Sequence, residues 1–183
     1  MSIKAAFLDR DGVINIDHAY VHRPEEFQFI DGALQACQRL VNAGYCLIVV
    51  TNQSGIGRGY YSEADFEKLC EWMKEQFAKA KAPITAIYYC PHHPTKALGA
   101  YRVTCNCRKP APGMLLKAQV DYDVDMTKSL MVGDKASDMS AALAAGVHTR
   151  ILVGKDGQAT PKPCSECTMT AKNLLEAVHL ILD

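Results

Sequence analysis

The chain has 183 residues, with Lys plus Arg and Asp plus Glu both at 20, so its formal net charge is zero. That balance gives no electrostatic footprint for nucleic acid or another polyanion. With 49% hydrophobic residues the chain can bury a sizeable core, which excludes disorder, and no apolar run approaches a membrane span. The N-terminus does not read as a signal peptide. The eight cysteines therefore fit a reducing cytoplasm, where they are buried, metal-bound or reactive.

Residues 3–8 form a short apolar run that breaks at Gly12 and predicts a buried strand. Asp9 and Asp11 stand at its mouth. In extended chain, residues i and i+2 face the same side, so both carboxylates can address one site. So close a pair repels unless a cation, a shared proton or a positive group intervenes. A plain turn is the simpler reading, since Asp and Gly favour turns. The polar stretch 15–28 follows, an ordinary loop or a substrate-contacting one.

Asp31-Gly32 opens a helix with Ala33, Leu34, Cys37, Leu40 and Val41 at helical spacing, closed by Gly44. Residues 45–50 are a second continuous apolar run, the pattern of a central strand covered on both faces. It ends in TNQSGIGRG, whose glycines let backbone N–H groups approach an anion. The loop matches neither the dinucleotide nor the P-loop pattern. Ser62 and Asp65 mark a helix start, and Phe66, Leu69, Cys70, Met73 and Phe77 make its apolar stripe. Residues 83–89 predict a third strand.

From Cys90 to Pro110 no long apolar run occurs. Cys90 with His92 or His93, and Cys105 with Cys107, make two tight pairs of soft metal ligands. Closed Cys/His sets of four suit structural zinc. Three thiols and an imidazole in so short a loop are hard to hold by packing, and a metal would contribute on the order of 10 kcal/mol.

Residues 113–120 read as a helix and 128–132 as a fourth strand, ending in Gly133-Asp134-Lys135. Asp138, one helical turn beyond Asp134, is placed to cap or orient it. A helix over 139–145, a fifth strand over 149–153 and a helix over 171–182 complete the order. Cys164 and Cys167 read as incidental cysteines in a tail loop. Strands alternating with helices predict an α/β fold, a three-layer Rossmann-like parallel sheet with helices on both faces. In such sheets ligands bind beyond the carboxyl ends of the strands. Asp9, Asp11, Thr51, Asn52, Arg108, Lys109, Asp134 and Lys135 would converge there. No stretch is long enough for a separate cap domain, so residues 1–183 form a single domain with a zinc-binding loop at about 90–110.

Asp9-x-Asp11-Gly12, Thr51 after a buried strand, Lys109 and Gly133-Asp134-x-x-x-Asp138 resemble, in order, the four motifs of the haloacid dehalogenase (HAD) superfamily. DRDGVIN, DHAYVH, TNQSGIGRG, YYCPHHP, CNCRKPAPGML and VGDKASDM are similar to its zinc-loop group, which includes phosphatases of heptose bisphosphates and of histidinol phosphate. The likeness extends to about residue 153 and is nearer the heptose branch. Val13 departs from the Thr common in the superfamily, and the C-x-x-C has no place in the pattern.

The resemblance implies a Mg²⁺-dependent phosphatase that removes the C7 phosphate of a heptose bisphosphate through an aspartyl-phosphate, on a route to nucleotide-activated heptose such as that of lipopolysaccharide. It implies that Asp9 is the nucleophile, Asp11 the acid and base, and Thr51 and Lys109 the phosphoryl stabilisers. It implies that Mg²⁺ sits on Asp9, Asp134 and the Asp11 carbonyl, and structural Zn²⁺ on Cys90, His92, Cys105 and Cys107. Asp17, His18, Ala19, Tyr20, Thr51, Asn52, Gln53, Ser54, Arg108, Lys109 and Lys135 would contact the phosphosugar. The expected partner is that small molecule alone, with no nucleic acid or membrane, and the expected state is a cytoplasmic monomer. The alternatives are a histidinol-phosphate phosphatase and a zinc-stabilised scaffold without catalysis.

Overall fold

The computed structural model describes residues 2–183. Six strands, β1 (Lys4–Leu8), β2 (Tyr45–Asn52), β3 (Ile84–Cys90), β4 (Leu130–Gly133), β5 (Thr149–Val153) and β6 (Met169–Ala171), form one sheet in the order β3-β2-β1-β4-β5-β6. All neighbouring strands pair parallel.

The continuous apolar runs are explained by two covered faces. Ala6, Leu8, Leu47, Val49, Leu130, Val132, Ile151 and Val153 point to one side, against helices α1 (Ala33–Asn42), α3 (Glu63–Lys79) and α6 (Leu174–Leu182). Ala5, Phe7, Ile48, Val50, Met131 and Leu152 point to the other, against α4 (Gly113–Tyr122) and α5 (Ala136–Ala144). The expected three-layer α/β arrangement is therefore the observed one. Burying a side chain such as Leu8 or Phe7 stabilises the fold by about 1.5–3 kcal/mol.

The start of α3 is fixed by a reciprocal cap: the Ser62 hydroxyl accepts from the Asp65 backbone at 3.0 Å, and Asp65 accepts from the Ser62 backbone at 3.0 Å. Several elements differ from expectation; strand β4, for one, starts at Leu130 rather than 128, because Met126–Lys128 form a helical turn. A single helical turn, α2 (Ser54–Gly57), lies inside the TNQSGIGRG loop. Helix α5 starts at Ala136 rather than 139, because the Asp138 side chain accepts from Lys135 N and caps an earlier turn. Helix α6 starts at Leu174, capped by Asn173, and Ala171 belongs to β6. The sixth strand was not expected: it is three residues long, at an edge, with no apolar run to mark it.

The order reverses between β1 and β4, whose residues Leu8 and Val132 are register partners. That is the switch point at which an open α/β sheet leaves a crevice. Asp9 N donates to Val132 O at 3.0 Å, so the chain leaves β1 with Asp9 beside Gly133 and Asp134.

Candidate active site

Asp9 is buried, at 6% exposure, immediately after β1. Its Oδ1 accepts from Lys109 Nζ at 2.9 Å, leaving Oδ2 free of that ammonium. Burial raises the Asp9 carboxyl above its ordinary range, and the Lys109 charge opposes this. Asp11 is more open. Its Oδ1 accepts from Arg10 at 2.8 Å and from Asn15 Nδ2 at 3.0 Å, and its Oδ2 from Gln53 Nε2 at 3.2 Å. The backbone turns just after Asp11, at Gly12, whose φ is +86°. A Cβ there would stand 2.4 Å from Asp134 Oδ2, so only glycine permits both the turn and the approach of Asp134.

Lys109 lies at 4% exposure with all three ammonium protons placed: on Asp9 Oδ1, on Val50 O at 2.8 Å and on Asp138 Oδ1 at 2.7 Å. Burial works to lower its pKa, but Asp138 and Asp9 outweigh it and hold the ammonium charged. Asp138 is 1% exposed and spends both oxygens, Oδ1 on Lys109 and Oδ2 on Lys135 N at 3.0 Å. It orients Lys109 and caps α5, rather than capping Asp134.

Asp9, Asp134 and Asp138 bring carboxylate oxygens within 4.8 Å of one another. Asp134 Oδ1 is buried without a hydrogen-bond partner. Burial, then the charges of Asp9 and Asp138, push the Asp134 carboxyl up to about 8. Hard oxygen donors in this crowded state fit Mg²⁺. Since Asp138 is fully engaged, Asp9 and Asp134 are the side chains that could hold it.

A cleft of about 550 Å³ opens above these groups, lined by Asp11, Asp17, Ala19, Tyr20, Asn52, Gln53, Ser54, Arg108, Lys109 and Lys135 among others. The structure thus brings most of the expected contacts together, with four exceptions in detail. Thr51 is 1% exposed, accepts from Gln53 Nε2 at 2.9 Å and is not among the residues lining the cleft. The His18 imidazole does not line the cleft; it lies 3.2 Å from Gln28 Oε1 and faces a separate cavity. Asn52 spends its amide on the Lys109 backbone, donating to the carbonyl at 3.2 Å and accepting from the N–H at 3.1 Å. Gln53 is 3% exposed and occupied by protein groups at both ends. The Asp17 loop is tethered: Lys155 pairs with Asp17 Oδ2 at 3.1 Å, and Asp17 N donates to Asp156 Oδ1 at 2.8 Å.

Three supporting residues escaped the sequence reading: Arg10, Asn15 and the Lys109-orienting role of Asp138. Arg10 is 1% exposed, between the Phe27 and Phe66 rings, and also donates to Val21 O at 2.8 Å. The signal was present. Residue 10 continues the alternation of Ala6 and Leu8, so its side chain points into the same covered face.

Cys90, His92, Cys105 and Cys107 converge. The three thiol sulfurs lie 3.1–3.6 Å apart, and His92 Nδ1 lies 3.4 Å from Cys107 and 3.6 Å from Cys90. Ligand separations in a tetrahedral thiolate-rich zinc site are close to this, about 3.5–3.8 Å. His93 is the outsider of the two imidazoles: its Nδ1 accepts from Thr95 N and Lys96 N. This loop also fixes Arg108, whose N–H donates to Cys105 Sγ at 3.4 Å and whose guanidinium donates to His92 O at 3.3 Å. Cys164 and Cys167 pack against the α4/α5 side of the core, as Cys105 and Cys107 do, but are not members of this ligand group.

Among the described residues no helix is long and apolar enough to cross a membrane. The HAD-hydrolase-like family model matches residues 106–177. A D-glycero-beta-D-manno-heptose-1,7-bisphosphate 7-phosphatase of Vibrio cholerae is 48% identical over 182 residues, covering 100% of this chain and 98% of that protein. The Yersinia pestis enzyme of the same name is 52% identical over 152 residues, covering 83% and 81%. The crystal structure of D,D-heptose 1,7-bisphosphate phosphatase from B. bronchiseptica, complexed with magnesium and phosphate, superposes with a TM-score of 0.84 at 34% identity, covering 98% of each chain. The chain belongs to the family of D-glycero-beta-D-manno-heptose-1,7-bisphosphate 7-phosphatases, within the HAD-type hydrolases.

Proposed function

We propose that this chain, as a single domain spanning residues 1–183, hydrolyses the C7 phosphate of D-glycero-β-D-manno-heptose 1,7-bisphosphate and releases the 1-phosphate. One observation carries the reading. Asp9, held on one oxygen by Lys109 and facing Asp134, stands at the switch point of a chain about half identical to phosphatases of that name.

Asp9 attacks phosphorus through the oxygen that Lys109 leaves free, and the bond from phosphorus to the C7 oxygen breaks. Asp11 delivers its proton to that departing oxygen through Oδ2, since Oδ1 already accepts from Arg10 and Asn15. Asp11 then takes a proton from the water that attacks the aspartyl-phosphate, which frees phosphate and restores Asp9. Mg²⁺ held by Asp9, Asp134 and the Asp11 backbone carbonyl would neutralise charge between the carboxylate and the phosphoryl group. Lys109 adds its charge while its protons hold Asp9 in place, and the Thr51 hydroxyl donates to a phosphoryl oxygen. Arg108 and Lys135 line the cleft where a second phosphate of the substrate would lie, and Arg suits a bidentate hold on it. Asp17, Ala19, Tyr20 and Ser54 face the sugar. Zinc on Cys90, His92, Cys105 and Cys107 would keep Arg108 aimed. The site is complete within one chain, which supports a monomer, and none of the eight cysteines is in a disulfide, which supports a reducing cytoplasm.

The test is phosphorus NMR of the products from both anomers of heptose 1,7-bisphosphate, with histidinol phosphate as competitor. Loss of the C7 signal with the anomeric phosphate retained, fastest for the β anomer, is expected. Release from C1, or faster hydrolysis of histidinol phosphate, would overturn the assignment.

A further inference from the structure

Gln53 and Tyr61 have no place in the steps above, yet they form a buried chain that ends on two groups that do. The Tyr61 hydroxyl donates to Gln53 Oε1 at 2.5 Å. Gln53 Nε2 donates to Thr51 Oγ1 at 2.9 Å and to Asp11 Oδ2 at 3.2 Å. In this orientation the Gln53 amide serves three neighbours at once: its NH₂ end meets the Asp11 carboxyl and the Thr51 oxygen, and its carbonyl takes the phenol proton. Burial raises the Tyr61 phenol pKa, which keeps it a donor. The Tyr61 ring is in turn fixed. It stacks on the His22 imidazole, with centroids 4.7 Å apart and planes 3° from parallel. Gly55 lies against it so closely that a Cβ would stand 2.3 Å from Tyr61 Cε1.

We infer that Gln53, anchored by Tyr61, is a positioning residue that sets the rotamer of the Asp11 carboxyl and the direction of the Thr51 hydroxyl. Arg10 and Asn15 hold Asp11 by Oδ1, and among the described residues Gln53 is the only protein donor on Oδ2; Asp11 itself lines the cleft. Without it the carboxyl could pivot about its Oδ1 contacts. The second Gln53 proton ends on Thr51 Oγ1, which turns the Thr51 hydroxyl hydrogen elsewhere, toward the phosphoryl position.

The inference rests on the proposed role of Asp11 as proton donor to the leaving oxygen, and its test separates the two. A sugar alkoxide needs that proton; a nitrophenolate leaves without it. Tyr61→Phe removes a single hydroxyl and Gln53→Leu the whole relay. For each, kcat/KM is measured on heptose 1,7-bisphosphate and on p-nitrophenyl phosphate, with thermal midpoints as a check on folding. General acid catalysis is worth about 10²–10⁴-fold, and mis-aiming the donor should lower the sugar-to-aryl ratio of kcat/KM about tenfold. An unchanged ratio in both variants, whether kcat/KM falls equally on the two substrates or not at all, would overturn the inference. Asp11→Asn is the control. If it shifts the ratio and the two variants do not, only the positioning role fails; if it leaves the ratio unchanged, the reading of Asp11 fails and the inference with it.

Discussion

Replacing Asp138 by Asn tests how the phosphoryl-facing lysine is held. Asp138 uses both oxygens, one on Lys109 Nζ at 2.7 Å and one on Lys135 N at 3.0 Å. An amide has one acceptor oxygen, so Asp138→Asn must give up one of the two whichever way it faces. If it keeps Lys109, it turns an NH₂ group toward Lys135 N and loses the cap on α5, a cost of about 1 kcal/mol. If it keeps the cap, it points two donors at a buried ammonium. Breaking a buried ion pair costs about 3–5 kcal/mol, but Asp9 and Val50 O still hold Lys109, so a total loss of about 2–3 kcal/mol is expected. For a chain of this size that lowers the thermal midpoint by about 4–12 °C. Turnover should fall about 10²-fold, because a Lys109 released on one side no longer fixes the Asp9 carboxylate, and a misplacement of about 1 Å at a positioned group can cost that much. Thermal unfolding and steady-state kinetics on the same preparation read both. A variant with wild-type midpoint and wild-type kcat would refute the argument that Asp138 orients Lys109.

Asp9→Asn should abolish turnover and leave a folded chain; phosphatase activity surviving in it would contradict the nucleophile assignment. Stripping zinc, or making Cys105→Ser, should remove one metal per chain and lower the thermal midpoint, because metal binding of this kind carries folding free energy. Metal analysis beside calorimetry decides it, and an unchanged midpoint in zinc-free protein would refute the structural role. Asp134 yields a pH prediction. Its pKa is raised from 3.8 to about 8, so between those values the folded chain binds more protons than the unfolded one. Its contribution to stability then falls as pH rises through that window. A cation reverses this by favouring the ionised pair, so the gain in midpoint on adding Mg²⁺ should be larger at about pH 8 than at about pH 5.5. An equal gain at both pH values would show that Asp134 is not in the magnesium site.

The strands were legible where both faces are covered. The runs ending at Leu8 and Val50 have no polar alternation because α1, α3 and α6 cover one side and α4 and α5 the other. The chemistry was legible because Asp9, Thr51 and Asp134 each follow such a run directly. What escaped depends on side-chain direction and distant partners. Strand β6 has too few residues to carry a pattern. Asn52 and Gln53, read as substrate contacts from their place in a polar loop, are occupied by Lys109, Tyr61, Thr51 and Asp11. His18 turns to Gln28 because Ala19 and Tyr20 both adopt positive φ, 59° and 57°, and redirect the loop around it. The choice of His92 over His93 could not come from spacing, since both lie within reach of Cys90 in sequence. It follows from His93 accepting the backbone N–H groups of Thr95 and Lys96.

The account turns on a covalent bond to Asp9, and trapping that bond tests it most directly. Enzyme quenched during turnover of heptose 1,7-bisphosphate and reduced with borohydride converts an aspartyl-phosphate to homoserine, which peptide mass spectrometry locates. The predicted result is homoserine at position 9 in the wild type and none in Asp9→Asn. Homoserine at position 11 or 134, or none at any carboxylate while phosphate is being released, would contradict it.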